Sequence, residues 1–158
     1  MIADQLVTLC VAKGITVTTA ESCTGGMISA ALTDVAGSSA MFERGFITYS
    51  NTAKMDMLGV SAQALDDFGA VSEQVAYEMA QGAQQAANAT YAIAVTGIAG
   101  PGGSDHKPEG RVCFGLSLAD GTTVTETKDF GPLGRKNVRQ ATVDHALALI
   151  FNEISKIA

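Results

Sequence analysis

Residues 19–26 read TAESCTGG, so two small nucleophiles, Ser22 and Cys23, stand directly after an acid, Glu21, and before the flexible pair Gly25 and Gly26. A hydroxyl or thiol placed there either belongs to an ordinary turn or is presented to a substrate. Where such a turn leads into a helix, unpaired N–H groups and the positive end of the helix dipole lie close to the side chain and can hold an oxyanion. The GxSxG spacing of an α/β-hydrolase elbow is absent. Simple capping of the helix by Ser22 or Thr24 therefore stands beside the catalytic alternative.

A serine nucleophile needs a base. His145 falls in an apolar helical stripe and His106 in a glycine-rich loop, and they read most simply as a packed and a solvated histidine. Lys54 is the stronger candidate. With Asn51 as N-cap of a short helix, Lys54 takes the third helical position, where the dipole opposes a cation. That repulsion, with partial burial, lowers an amine from its ordinary pKa of about 10.4. An amine neutral near pH 7 can deprotonate a serine, as Ser–Lys pairs do in place of Ser–His–Asp. Tyr49 can relay a proton or orient the lysine; otherwise it is a sheet-end aromatic. Glu21 can position Lys54 or a ligand hydroxyl, and Cys23 is a rival nucleophile, because a thiol at a helix N-terminus is activated by the same dipole.

A second set of residues suits ligand binding. GIAGPGGSDHKPEG (97–110) has five glycines and two prolines in fourteen residues, long for a connection inside a domain and of a kind that is usually functional or mobile. It matches neither the GxxxxGK[ST] nor the GxGxxG pattern. Its glycines, Gly97 and Gly100 among them, still let main-chain N–H groups approach a ligand closely, and Thr96 adds a hydroxyl. Backbone donors are also expected around Cys23 to Gly26, which brings in Thr24 and Gly25. Arg135 and Arg139, one helical turn apart, can grip a phosphate or remain solvated.

These residues need elements to hold them. Apolar residues from Ile2 to Val11 recur at helical spacing and Gly14 stops that helix. ITVTTA from Ile15 is β-branched and reads as a strand, with helical spacing resuming from Gly25 to Thr33. GFITYS (45–50) predicts a second strand, TAKMDML the short helix with Lys54, Ser61 and Ser72 two further N-caps, and Glu73 to Ala87 a long helix. YAIAVT (91–96) is apolar enough for a strand buried on both faces. RVCFGLSLAD and TTVTETKDF form a hairpin around Asp120-Gly121, and a last helix runs from Arg135 to Ile157. This order predicts an α/β sandwich with a mixed, partly parallel sheet. Ser22, Lys54 and the loop after Thr96 would then meet beyond the carboxyl ends of parallel strands, where open α/β sheets bind ligands.

Composition excludes several classes. The chain has 158 residues, 47% hydrophobic and 16% charged, which fits one domain spanning 1–158 rather than a disordered chain. A net charge of −6 with scattered lysines and arginines argues against nucleic acid. Cys10, Cys23 and Cys113 have no CxxC spacing, so neither zinc nor a disulfide framework is suggested and a cytoplasmic setting is expected. No apolar run approaches the roughly 18 residues that span a bilayer, so no membrane association is expected. A small apolar domain with an exposed hairpin is expected to form a homodimer or higher homo-oligomer.

TAESCTGG (19–26), GSSAMFERGFITYSNTAK (37–54), GAVSEQVA (69–76), VTGIAGPGGSDHKPEGRV (95–112) and the closing Arg/Gln-bearing helix together resemble the CinA C-terminal domain family. The likeness covers nearly the whole chain. It implies a three-layer α/β/α fold and hydrolysis of the carboxamide of nicotinamide mononucleotide, giving nicotinate mononucleotide and ammonia, with no metal or other cofactor. By the same resemblance Ser22 matches the nucleophile, Lys54 the base and Tyr49 the tyrosine before it, while Thr96 matches the hydroxyl residue before the glycine loop. Two alternatives are an amidase for another nucleotide-like carboxamide and a non-catalytic nucleotide-sensing or partner-binding domain.

Overall fold

The computed structural model describes residues 1–104 and 106–157. Its elements are α1 (Ile2–Lys13), β1 (Val17–Glu21), α2 (Met27–Thr33), a 3₁₀ turn at Ser38–Ala40, β2 (Phe46–Ile47), α3 (Asn51–Leu58), α4 (Ala62–Phe68), α5 (Glu73–Ala87), β3 (Tyr91–Gly97), β4 (Arg111–Ser117), β5 (Thr123–Asp129) and α6 (Arg135–Ser155). The strands form one sheet in the order β2-β1-β3-β4-β5. β2, β1 and β3 run parallel, and β3, β4 and β5 antiparallel, giving the mixed sheet expected from the alternation of elements.

The sheet is covered on both faces because its central strands are apolar on both. Along β3, side chains alternate between faces. Tyr91, Ile93 and Val95 join Leu6 and Cys10 of α1, Ile28 and Leu32 of α2, and Val138, Ala146 and Ile150 of α6 in one core. Ala92 and Ala94 join Leu58 of α3, Leu65 of α4, and Val75, Met79 and Ala83 of α5 in the other. The resulting α/β/α layering is the three-layer fold implied by the resemblance. Small residues bring α5 close: a Cβ on Gly115 would lie 2.4 Å from Ala76 O, and one on Gly82 only 1.9 Å from Leu58 O.

The expected boundaries shift in places that matter for the site. β2 is two residues long rather than the whole of 45–50, so the chain leaves the sheet early and 48–50 become a connection into α3. The N-cap of α3 is Ser50, not Asn51: Ser50 Oγ accepts from Ala53 N–H at 3.0 Å. Both residues are good caps, and the choice of the earlier one moves Lys54 from the third to the fourth helical position. α2 starts at Met27, so Ser22 to Gly26 form an extended turn with Gly25 (φ 57°) and Gly26 (φ 105°) in the left-handed region, where a side chain would be strained.

Candidate active site

Each strand of the parallel half delivers one wall of the site. Ser22 follows β1, and its N–H bonds Val95 O of β3 at 3.1 Å, extending the ladder one residue beyond the strand. Thr48 follows β2 and bonds Glu21 O through its N–H at 2.9 Å. Thr96 lies at the end of β3. The three ends open on a cavity of about 370 Å³ lined by Ser22, Cys23, Tyr49, Lys54, Thr96 and Arg135, with residues 97–104 of the glycine-rich segment as its far wall.

At the floor, Lys54 Nζ lies 2.9 Å from Ser22 Oγ, 3.0 Å from Thr48 O and 3.3 Å from Tyr49 O. The lysine is 1% exposed, and no carboxylate pairs with it among the described residues. Burial pushes its ammonium down to about 8. The direction matches the expectation, but the cause is chiefly loss of water around a fully buried amine rather than the helix dipole. When the amine is neutral, two N–H groups can stay on the two carbonyls while the lone pair faces the serine hydroxyl.

Glu21 lies elsewhere than expected. It is fully buried, and its carboxylate faces the start of α2 rather than Lys54. Oε1 accepts from Thr24 Oγ (2.6 Å) and Ile28 N–H (2.9 Å), and Oε2 from Ser29 N–H (2.9 Å) and Ser29 Oγ (2.7 Å). Four donors fill the acceptor capacity of a carboxylate, leaving none for a ligand hydroxyl. α2 has glycine at its N-cap, so Glu21 supplies from the strand the capping that its own cap residue lacks.

Tyr49 contributes to the lysine through its main-chain carbonyl. Its phenol is exposed and accepts from Arg135 Nη2 at 2.9 Å, and Arg135 Nη1 donates to Gly100 O at 2.6 Å. Arg135 thus bridges two walls of the cavity mouth. Arg139, expected beside it, does not line the cavity: its Nε and Nη2 donate to Cys23 O (3.0 Å) and Thr24 O (3.1 Å), behind the turn. Thr96 Oγ donates to Ala70 O at 2.9 Å. Gly97 and Gly100 are sites of close approach, since a Cβ would lie 2.6 Å from Val112 Cγ2 and 2.5 Å from Glu109 Cδ.

Cys23 is buried, and burial pushes its thiol up to about 11, the opposite of the activation expected at a helix N-terminus. The helix begins four residues later, so the dipole does not act on the sulfur as supposed. His145 is bonded to Glu126, packs edge-on to Phe114 with ring centroids 4.8 Å apart, and does not line the cavity. No group of three or more His, Cys, Asp or Glu side chains among the described residues is arranged to hold a metal ion. No helix among them is long and apolar enough to cross a membrane. Sequence reasoning missed Asn51 as a lining residue and the carbonyls of Thr48 and Tyr49 as lysine partners; no side-chain signal marks a carbonyl.

Comparison with known proteins places these features in a wider group. The family model of the CinA C-terminal domain matches residues 1–154. Nicotinamide-nucleotide amidohydrolase PncC of Enterobacter agglomerans is 52% identical over 92% of this chain and 88% of its own length. The protein of the same name from Escherichia coli strain K12 is 51% identical over 90% of this chain and 86% of its own. The crystal structure of competence/damage inducible protein CihA from Agrobacterium tumefaciens superposes with a TM-score of 0.93 at 47% identity, covering 96% of this chain and 92% of that one.

Proposed function

Since the chain belongs to the CinA C-terminal domain family, we propose that it is a nicotinamide-nucleotide amidohydrolase, converting nicotinamide mononucleotide to nicotinate mononucleotide and ammonia by a Ser–Lys mechanism. The observation that carries the mechanism is the 2.9 Å approach of a buried, uncompensated Lys54 to Ser22 Oγ. A surface lysine would be held protonated by water. This one lies close enough to neutrality at physiological pH to act as a base.

In the proposed cycle Ser22 Oγ attacks the carboxamide carbon and Lys54 takes its proton. Collapse of the tetrahedral adduct expels ammonia as Lys54 returns that proton to the departing nitrogen. Water, deprotonated by the same amine, then attacks the acyl ester; Lys54 passes that proton to the departing Ser22 oxygen, and the released acid loses its remaining proton to solvent. No group beyond these is required to balance the protons.

Substrate recognition is assigned to the mouth. Arg135 is exposed and charged, and among the described residues it is tied to a phenol and a carbonyl, so a phosphate can replace either partner with a stronger, charge-assisted bond. The far wall, residues 97–103, is assigned to the ribose phosphate, although the N–H groups of Ile98 and Gly102 are already bonded to Arg111 O and the Glu109 carboxylate, and the exposed Tyr49 ring offers a face to the pyridine. Homologues bearing the amidohydrolase name support the substrate class. Ammonia release from nicotinamide mononucleotide by the purified protein, absent with nicotinamide riboside lacking the 5′-phosphate, is the expected result. Turnover of neither compound would refute the assignment.

A further inference from the structure

The glycine-rich wall of the cavity already holds an anion, and the anion comes from the chain itself. Glu109 is half-buried, and its Oε1 accepts from Gly102 N–H at 2.5 Å. Its carboxyl group lies against Gly100, where a Cβ would meet Cδ at 2.5 Å and Oε1 at 2.7 Å. The carboxylate therefore fills the space that a side chain at position 100 would need. Gly100 and Gly102 line the cavity and Glu109 does not, so the negative charge backs the wall.

That charge is uncompensated by any ion pair. No Lys, Arg or His among the described residues forms one with Glu109. Arg135 Nη1 donates to Gly100 O at 2.6 Å. Carboxylate and guanidinium thus approach the same glycine, one from its Cα side and one at its carbonyl oxygen, without pairing with each other. A phosphate that takes the place of Gly100 O on Arg135 is then separated from the carboxylate by a single residue of main chain. A phosphate monoester carries a charge of about −1.5 to −2, and like charges near a protein surface are shielded less than in bulk water. The Gly102 N–H, a donor that the wall would otherwise offer to an anion, is also already taken.

We propose that Glu109 is a specificity-determining residue for the phosphate, an internal anion that occupies the Gly102 amide and opposes further negative charge at Arg135. This rests on Arg135 receiving the phosphate of the substrate. The carboxylate lowers the affinity of the mouth for every phosphate ligand. Nicotinamide mononucleotide offsets that loss with contacts made by its ring and carboxamide, whereas inorganic phosphate has none to offer. Occupancy of the cavity is therefore decided by the part of the ligand that reacts.

Calorimetric titration with inorganic phosphate tests this without relying on turnover, in wild type, Glu109→Gln and Glu109→Ala, and ammonia release gives KM for the mononucleotide beside it. Glu109→Gln keeps an acceptor for Gly102 N–H and loses the charge. In about 0.01 M salt it is expected to bind phosphate about three- to tenfold more tightly than wild type. KM should fall by a similar factor and kcat should change less, because Glu109 does not line the cavity. Glu109→Ala, which frees the amide as well, should also bind phosphate more tightly than wild type. The gain should vanish in about 1 M salt, where the screening length falls from about 30 Å to about 3 Å. A wall merely loosened by the substitution would show no such convergence. Phosphate affinity unchanged or weakened in the folded variants would overturn the inference, as would a gain that persists in high salt. Should Glu109→Gln not fold, Glu109→Ala is read by the same criteria. Phosphate bound as expected with no ammonia released would refute the amidohydrolase reading alone and leave Glu109 its role. No phosphate binding by any of the three proteins would refute the assignment of the phosphate to Arg135, and this inference with it.

Discussion

The floor and the mouth of the cavity are built on opposite plans. At the floor Lys54 and Ser22 are at most 7% exposed, behind them Glu21 and Thr24 are fully buried, and every charged atom is held by fixed partners. At the mouth, Arg135 and Tyr49 are exposed and hold each other and Gly100 O by bonds that a ligand can replace. The floor is arranged before substrate arrives, as chemistry that stabilises developing charge requires. The mouth spends nothing on burial and keeps its donors available. Damage to the floor should therefore strike kcat and pH dependence, and damage to the mouth should strike KM.

The largest effects are expected at the floor. Ser22→Ala should lower kcat by at least about 10⁴-fold, by analogy with removal of a nucleophile that acts as a unit with its base. Lys54→Met should lower it by about 10²–10⁴-fold, the range for a general base. In wild type, kcat/KM should rise about tenfold per pH unit below pH 8 and level off above it, because the base works only when deprotonated and its pKa is about 8. Steady-state ammonia assays from pH 6 to 9.5 check this. A flat profile through pH 8, with product release excluded as the slow step, would remove Lys54 from the base role and leave the floor no more specialised than the mouth.

The same buried amine predicts a stability effect of intermediate size. Its folded pKa of about 8 lies below its ordinary 10.5, so between those values the unfolded chain binds more protons and stability rises with pH. Below pH 8 both states are protonated, and the folded state bears the full cost of a desolvated ammonium, about 3 kcal/mol at 1.36 kcal/mol per pH unit. Lys54→Met, similar in length and free of charge, should be more stable than wild type at pH 7 by up to about this amount. That advantage should shrink to nothing above pH 10.5. Cys10 and Cys23, whose thiols are pushed up to about 11, give a slope of the opposite sign from pH 9 upward in both proteins. Below pH 9, where the thiols are neutral in both states, the difference between the two denaturation curves therefore isolates the lysine. Equal stabilities at pH 7 would mean that the floor carries no such penalty.

Much of the floor was legible from residue types. A nucleophile after a β-branched run, a lysine early in the next helix and a glycine-rich segment after an apolar strand place three walls by topology alone, since parallel strands end side by side. What escaped prediction depends on distances along the chain that no local pattern records. Arg139 reaches carbonyls 115 and 116 residues away, and nothing in its neighbourhood distinguishes it from Arg135, one turn earlier. Glu21 caps a helix whose first residue lies six positions on, outside any capping-box spacing. The Ser50–Asn51 pair offered two equally good caps, and the choice of Ser50 moved Lys54 one position further into the helix. Local chemistry singled out the candidates; packing between elements fixed which way they face.

The smallest effect, and the sharpest test of the contrast, belongs to Arg135. A hydrogen bond to a charged group contributes about 1.5–3 kcal/mol, so Arg135→Ala should raise KM for nicotinamide mononucleotide by about 10–100-fold. Its kcat should stay within about threefold of wild type, because the side chain does not touch Ser22 or Lys54. Inorganic phosphate should inhibit wild type competitively and lose that effect in the variant, which separates anion binding from a general loosening of the mouth. Arg135→Lys keeps the charge but not the fork, and it should fall between the two. The outcome that breaks the division is a large fall in kcat with KM preserved. Arg135 would then be holding Tyr49, and through its carbonyl Lys54, in the reactive arrangement, and the mouth would be part of the chemistry rather than only its entrance.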